Sequence, residues 1–485
     1  MINKIHDDFD SGKTTPLELT KKFFTAIRAS NHNAFITLCE DRALKQAEEL
    51  TSDLKSKHGG KVPRLLMPLF GIPLGIKDVL TMDGVRTTCA SKMLDNYIPP
   101  YTATAVLKLE KAGAISLGKS NMDEFAMGSS NENSAFGSVL HPTHPDRVPG
   151  GSSGGSATAV AADLCVAALG TDTGGSIRLP ASFCGIVGMK PTYGRISRYG
   201  QIAFASSLDQ IGPMTKTVAD AALLCKVMSG IDSRDSTSAD VIVDDWVQTA
   251  QETKVENAKG LRVGVPQEYF IEGIDTEVKS AVESMIKKLK DQGAEIIPVS
   301  LPHTQYAVAT YYVIAVSEAS SNLSRYDGVK FGVRPPEAMR AGSLAEFYKK
   351  VRVNFGAEVK RRIILGTFAL SSGYYDAYYR KAAQVRRLMR KDFEDAFQSV
   401  DVIVSPVSPT TAFKLGEKSK DPLKMYLTDI FTIPASMAGL PAMSVPIAKD
   451  QQGLSIGLHL IGPRFQENTL IKAGRIVELL AGGAK

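Results

Sequence analysis

A membrane-spanning helix needs an apolar run of about 18 residues or more, and no stretch of this 485-residue chain comes close. No segment is therefore predicted to cross a bilayer, and residues 1–10 lack the charged and apolar regions of a secretory signal. Cysteine is sparse: Cys39, Cys89, Cys165, Cys184 and Cys225 are an odd set without a CxxC pair. That pattern argues against a disulfide framework or a zinc site and suits reduced, buried thiols, which predicts a cytoplasmic protein. Charge of one sign is also missing. Fifty-seven Lys and Arg against 51 Asp and Glu leave a net charge of +6 with no long basic block, so charge alone announces no nucleic-acid partner. Internal repeats and low-complexity tails are absent. What remains is 44% hydrophobic and 22% charged residues, the balance of a globular protein.

The chain opens with a helix signal. Thr15 can cap, Pro16 suits the first helical position, and Glu18 can reach back to close a capping box. A second helix is predicted over 43–54, so residues 1–60 read as a helical lead-in packed on a core formed by 61–485 as one unit. From 71 onward short apolar runs (71–76, 114–117, 164–169) alternate with helical patterns such as 105–112, an α/β rhythm. Residues 261–265 read as a strand. Val278, Val282, Met285 and Leu289 then mark one face of a helix that Gly293 can stop before a strand at 295–299. A long helical stretch follows over 344–397, then strands at 402–404 and 442–445 and a final helix. Residues 230–245 carry the weakest pattern and are predicted to form a surface insertion.

Two glycine-serine strings hold the densest chemical signal. Gly150-Gly151-Ser152-Ser153-Gly154-Gly155-Ser156 leads into a small-residue helix over 157–162. Its glycines permit close approach of hydroxyls and backbone N–H groups to a ligand, although the string read alone also fits a linker or an anion loop. Twenty-four residues past Ser152 lies Ser176, in Asp172-Thr173-Gly174-Gly175-Ser176-Ile177-Arg178, at the exit of an apolar run. There the N–H groups of Thr173, Gly174, Gly175 and Ser176 can converge on one oxygen, or the segment can be a plain strand-to-helix turn.

A serine nucleophile needs a base. The seven histidines are scattered, and His141 and His144 sit beside prolines with no third ligand near, which predicts a solvent loop and no metal site. Lys77 ends the apolar string Gly71-Ile72-Pro73-Leu74-Gly75-Ile76 and should be buried, which favours its neutral form. Read alone, it fits a lysine reaching off a strand end into water as well or better. A further string, Gly113-Ala114-Ile115-Ser116-Leu117-Gly118-Lys119-Ser120, has the letters of a phosphate-binding loop. Its first glycine follows a helix and its middle is strand-like, so Gly113 reads as a helix stop.

Taken together, Lys77 in its G-I-P-x-x-x-K-D string, the Ser152 loop and the Ser176 segment resemble the amidase signature family. The resemblance implies an α/β amidase signature fold, a large mixed sheet covered by helices on both faces. It implies Ser176 as nucleophile, Ser152 on a cis peptide as proton bridge and Lys77 as base, an accepted variant of the serine-histidine device. Asp172 and Arg178 then read as supports of the turn.

The resemblance covers nearly the whole chain and is greatest toward the branch of amidotransferase A subunits that serve Glu-tRNA(Gln) or Asp-tRNA(Asn). The strings that carry it are 119–130, 317–328 and 366–379. That branch implies glutamine as substrate, ammonia as product, B and C subunits as partners in a heterotrimer, and tRNA contacted mainly through a partner. It implies no cofactor in this chain, with ATP and Mg used by the partner. For the zwitterionic end of glutamine the pattern points to Arg362 at the carboxylate and Asp429 at the ammonium, with Tyr311 as a third contact. Each has a structural alternative: exposed helix face for Arg362, helix cap for Asp429, core packing for Tyr311. The chain departs from the family pattern where Asn-Pro-Trp is replaced by His144-Pro145-Asp146; its only tryptophan is Trp246. Two rival functions are a stand-alone amidase for another small amide and an inactive scaffold touching tRNA.

Overall fold

The structure, a computed structural model, describes residues 1–482 apart from 271 and 420. Its described strands are β1 (Phe35–Leu38), β2 (Pro73–Lys77), β3 (Ile115–Ser120), β4 (Ala167–Asp172), β5 (Val187–Lys190), β6 (Gln210–Thr215), β7 (Arg262–Pro266), β8 (Glu295–Val299), β9 (Val402–Pro406), β10 (Ala442–Lys449) and β11 (Ser455–Ile461). They form one sheet in the order β1-β3-β2-β4-β6-β5-β10-β11-β9-β7-β8. The sheet is mixed: β2 runs parallel to β3 and β4, and β7 parallel to β8 and β9, while the remaining pairs are antiparallel. Every residue of β2, β3, β4 and β6 is buried, as strands covered on both faces must be.

Residues 1–60 supply three helices and β1. Thr15 and Glu18 close the capping box, and Phe9, Phe24 and Leu50 join the same apolar cluster as Ile72 and Leu74. The unit at 261–299 folds as a strand, a helix and a parallel strand. Helix Thr276–Asp291 buries Val278, Val282, Met285 and Leu289, the four positions of the predicted stripe. Residues 230–245 run as irregular chain before helix Trp246–Glu252. Among the described residues no helix is long and apolar enough to cross a membrane.

Two expectations need correction. The helical stretch over 344–397 is broken into Leu344–Arg352, Ala357–Ala369 and Lys381–Ala396, with a π-helical turn Asp376–Arg380 before the last. The first break comes where the N–H of Gly356 turns to the Glu124 carboxylate, the second where Gly373 takes φ +84. The other correction concerns His141 and belongs with the site below. Gly113, by contrast, does stop its helix. At φ +95 it lies so close to the backbone of Phe70 that a Cβ would come within 2.7 Å. Lys119, in the phosphate-loop position, is fully buried on β3, paired with Asp78 at 3.0 Å and bonded to Thr87.

The topology brings chemistry to one edge. β2 and β4 are parallel neighbours with Ile76 opposite Leu169, so their carboxyl ends, Lys77 and Asp172, emerge side by side. Open α/β sheets bind ligands at such ends.

Candidate active site

Lys77 is the last residue of β2 and is completely buried. Its ammonium nitrogen donates to Ser152 Oγ at 2.8 Å, Ser153 Oγ at 2.8 Å and Thr171 Oγ1 at 2.9 Å. Three hydroxyls replace water around it, and none is a charge. Burial therefore dominates and brings the lysine down from 10.5 to about 7, against the opposing pull of Asp123, Asp172 and Asp209.

The glycine-serine loop wraps over this lysine. The Gly151–Ser152 peptide is cis. Helix Gly154–Ala161 begins directly after the paired serines, and its small residues are buried against the sheet. The glycines are needed for contact rather than flexibility: a Cβ on Gly151 would collide with the Asp123 carboxylate, and one on Gly154 would lie 2.6 Å from Asn131. Asp123 accepts the N–H groups of Asn131 and Asn133 at 2.9 and 3.1 Å, and its own N–H bonds the Ser152 carbonyl at 3.2 Å. Burial raises its carboxyl to about 6.

The second string leaves β4 as a turn into helix Arg178–Cys184. The Ser153 N–H donates to the Ser176 carbonyl at 3.2 Å, so the two strings are tied backbone to backbone. Ser152 and Lys77 have no exposure, whereas Ser176 retains 8%; of the three, only Ser176 meets solvent. The amides of Thr173, Gly174, Gly175 and Ser176 donate to no other group among the described residues. Unspent N–H groups around a serine that keeps some solvent contact suit a developing oxyanion. Thr173 is held from its side chain, which donates to Asp209 at 2.7 Å.

Beneath the turn, Arg178 and Asp172 form a fully buried, two-pronged pair, with Nε and Nη2 each 2.9 Å from a carboxylate oxygen. Burial alone would raise Asp172, but Arg178 outweighs it and holds the carboxyl at about 2. Asp172 also accepts the Ile177 N–H at 3.2 Å and so pins the residue after Ser176. Replacing Asp172 by asparagine leaves a buried guanidinium without its counter-charge. A loss of about 3–5 kcal/mol in unfolding free energy is expected by denaturant titration, and a loss under about 1 kcal/mol would contradict the supporting role.

Two of the predicted substrate contacts, Tyr311 and Asp429, pack against the same turn. A Cβ on Gly174 would lie 2.8 Å from the Tyr311 ring, and one on Gly175 would lie 2.8 Å from Asp429 Oδ1. Asp429 is buried; Ser129 donates to its Oδ2, while Oδ1 has no partner among the described residues. Burial raises this carboxyl to about 7. Thr432 Oγ1 donates to the Gly174 carbonyl at 2.7 Å and so joins the Asp429 segment to the turn.

Arg362 is buried, not part of the exposed face of its helix. It bonds Glu358 at 2.8 Å, which also takes the Tyr426 hydroxyl at 3.0 Å, and it lies over the rings of Tyr312 and Tyr426 at 5.3 and 5.6 Å. Arg362, Glu358, Tyr426 and Ser130 line a cavity of about 60 Å³. Tyr311 packs edge-on to Tyr312 at 5.0 Å. Arg362 and Asp429 both act electrostatically on Tyr311, which packs against the turn.

Sequence reasoning passed over Ser153 and Thr171 as partners of Lys77, Ser129 and Thr432 around Asp429, and Glu358 behind Arg362. The paired serines were a signal for the first; only the i−4 spacing of Glu358 to Arg362 hinted at the last. His141 corrects part of an expectation: it is buried, with Nε2 2.9 Å from the Phe183 carbonyl, whereas the rest of the loop does reach solvent, with Thr143, Pro145 and Asp146 exposed and His144 half-buried against the Gln452 carbonyl. Burial brings His141 down to about 4. Trp246 lies far along the chain from the serine loop, under the Arg195 guanidinium at 5.4 Å. No His/Cys/Asp/Glu group able to hold a metal ion occurs among the described residues.

Comparison with known proteins bears on this arrangement. The amidase family model matches residues 18–471. The A subunit of a glutamyl-tRNA(Gln) amidotransferase from Acidobacterium capsulatum is 56% identical over 449 residues, 92% of this chain and 92% of its own length. The crystal structure of the corresponding glutamyl-tRNA(Gln) amidotransferase A subunit from Thermotoga maritima aligns with a TM-score of 0.78 at 44% identity, over 96% of this chain and 91% of that one. A peptide amidase from Stenotrophomonas maltophilia aligns with a TM-score of 0.80 at 28% identity, over 99% and 96%. The fold is common to both kinds of relative; the sequence lies much nearer the amidotransferase chains.

Proposed function

The chain belongs to the amidase family, and from that membership we propose that it is the glutamine-hydrolysing subunit of an amidotransferase acting on Glu-tRNA(Gln) or Asp-tRNA(Asn). The observation that carries the chemistry is the buried Lys77 amine, 2.8 Å from Ser152 Oγ, in a loop tied backbone to backbone to Ser176, the one of the three that keeps some solvent contact. The higher identity to amidotransferase A subunits than to a peptide amidase favours this reading over a stand-alone amidase.

In the proposed reaction neutral Lys77 takes the Ser152 proton as Ser152 takes that of Ser176. Ser176 Oγ forms a bond to the side-chain carbonyl carbon of glutamine. The carbonyl electrons move onto oxygen, where the amides of Thr173 to Ser176 receive them. When the C–N bond breaks, the proton returns through Ser152 to the leaving nitrogen as ammonia. Water then attacks the acyl-serine by the same relay and glutamate leaves. Arg362 holds the α-carboxylate, Asp429 the α-ammonium, and Tyr311 closes the side of the pocket. These steps require no cofactor in this chain. Ammonia passes to a B subunit, which uses ATP and Mg to activate the aminoacyl-tRNA and which, with a C subunit, completes a cytoplasmic heterotrimer.

An electrophilic glutamine analogue tests the assignment directly. Incubated with the assembled enzyme, it is expected to leave one adduct per chain on the peptide bearing Ser176, read by mass spectrometry and prevented by excess glutamine. An adduct on another residue, or labelling that glutamine does not slow, would sink it.

A further inference from the structure

Helix Ala357–Ala369 has two different faces. Val359, Arg362, Gly366 and Ala369 are buried, and Gly366 lies where a Cβ would strike the Val316 carbonyl of helix Ala307–Leu323. Opposite them, Ile364, Leu365 and Phe368 stand in water, and the following turn adds Tyr374, Tyr375 and Tyr378. Their exposures run from 43% for Tyr378 to 69% for Ile364. Six such side chains present on the order of 500 Å² of surface, at the top of the range for the largest apolar patch of a monomer. The rings are mutually packed: Phe368 meets Tyr374 at 4.4 Å and Tyr378 at 6.0 Å.

The platform continues into a cationic cleft. Tyr375 stacks on Tyr379 at 5.4 Å, and Tyr379 feels the charge of Arg386. Arg386 is anchored to Met437 and Ser207 at 2.7–2.9 Å. With Arg387, Arg390 and Arg464 it lines a cleft of about 380 Å³. Arg390 has Glu394 at 2.7 Å. Arg387 makes no ion pair among the described residues, and Arg464 lies over the Phe465 ring at 4.7 Å with the Arg390-bound Glu394 as the carboxylate acting on it. The four guanidinium groups around this cleft outnumber the carboxylates paired with them, so an anionic group from outside complements them.

Resting on the reading of this chain as one subunit of a larger enzyme, we propose that the aromatic platform and the arginine cleft beside it form the docking surface for a companion protein subunit. That subunit lays apolar side chains on Phe368, Tyr374 and Tyr378 and inserts a carboxylate among Arg387, Arg390 and Arg464. A protein fits this surface better than RNA: Ile364 and Leu365 offer no flat face for a base, and the cations gather in a cleft to one side instead of tracking a backbone. Ile364, Leu365 and Phe368 of the platform lie on the same helix as Arg362.

The test co-expresses the chain with the B and C subunits of its own organism and reads assembly by light scattering and titration. Phe368→Asp with Tyr374→Asp, and separately Arg387→Glu with Arg390→Glu, are expected to weaken assembly by about 100-fold or more. Leu65→Asp, an exposed apolar residue elsewhere, should assemble like the unmodified chain. The isolated variants should unfold at the unmodified midpoint, since surface changes are small in stability. Variants that assemble normally overturn the proposal, and so do variants that assemble normally but bind tRNA weakly. An unmodified chain that assembles with neither partner overturns the functional reading, and the surface proposal falls with it.

Discussion

Replacing Ser176 by alanine is expected to lower glutamine hydrolysis by the assembled enzyme by on the order of 10⁴-fold or more, the scale on which serine nucleophiles carry acyl transfer. The substitution removes only an oxygen at the one member of the three that meets solvent. Neither the Ser153–Ser176 backbone bond nor the Asp172–Arg178 pair beneath the turn depends on that hydroxyl, so the fold and the pocket should be kept. Glutamine binding is then expected to be nearly unchanged, because Arg362 and Asp429 are untouched. Amidation driven by added ammonium should also persist, since that step bypasses this site. Glutamine hydrolysis above a hundredth of the normal rate would remove Ser176 from its role. Loss of the ammonium-driven reaction as well would mean that the variant had damaged assembly instead.

Much of this site was legible because its chemistry lies in contiguous strings. Ser152 and Ser176 stand among glycines that the structure uses for close contact, at Gly151 against Asp123 and at Gly174 against Tyr311. Lys77 could be read as a buried strand end because an apolar run precedes it. The Thr171 acceptor of its ammonium has no such signal, since Thr171 reaches Lys77 through the parallel pairing of β2 with β4. The Ser129–Asp429 contact joins residues 300 positions apart, and no local pattern announces it.

The fold shows the same division. Amphipathic elements such as helix Thr276–Asp291 carry a stripe and were found. Elements buried all round carry none. β5 and β6 are short, fully buried and interrupted by glycine or proline, and β11 places Gly457 and His459 inside an apolar run. Helix Ala307–Leu323 is largely buried, so its apolar residues do not repeat at helical spacing. The loop at 142–146 does reach solvent, as its prolines suggest, and no local pattern marks His141 as the residue that turns inward to the Phe183 carbonyl.

The pH dependence should report both ionisations of the site. Burial brings Lys77 down to about 7 and pushes Asp429 up to about 7. The reaction needs the lysine neutral and the carboxylate charged, so both forms are lost together as pH falls. Below about pH 7, kcat/KM for glutamine is expected to fall with a limiting slope approaching two decades per pH unit, one from each group. Above it the profile should level off. Asp123, Asp172 and Asp209 all oppose deprotonation of Lys77, and burial outweighs them. Asp429→Asn should raise KM for glutamine at least about tenfold and reduce the acid slope to one, because only Lys77 still titrates. Lys77→Arg keeps a cation in the pocket but holds its proton at every working pH. It should lose more than about 10²-fold in kcat across roughly pH 6–9, as should Lys77→Ala. A Lys77→Arg variant with near-normal rate, or an Asp429→Asn profile that keeps the double slope, would each show that the groups titrating near neutrality are not these two.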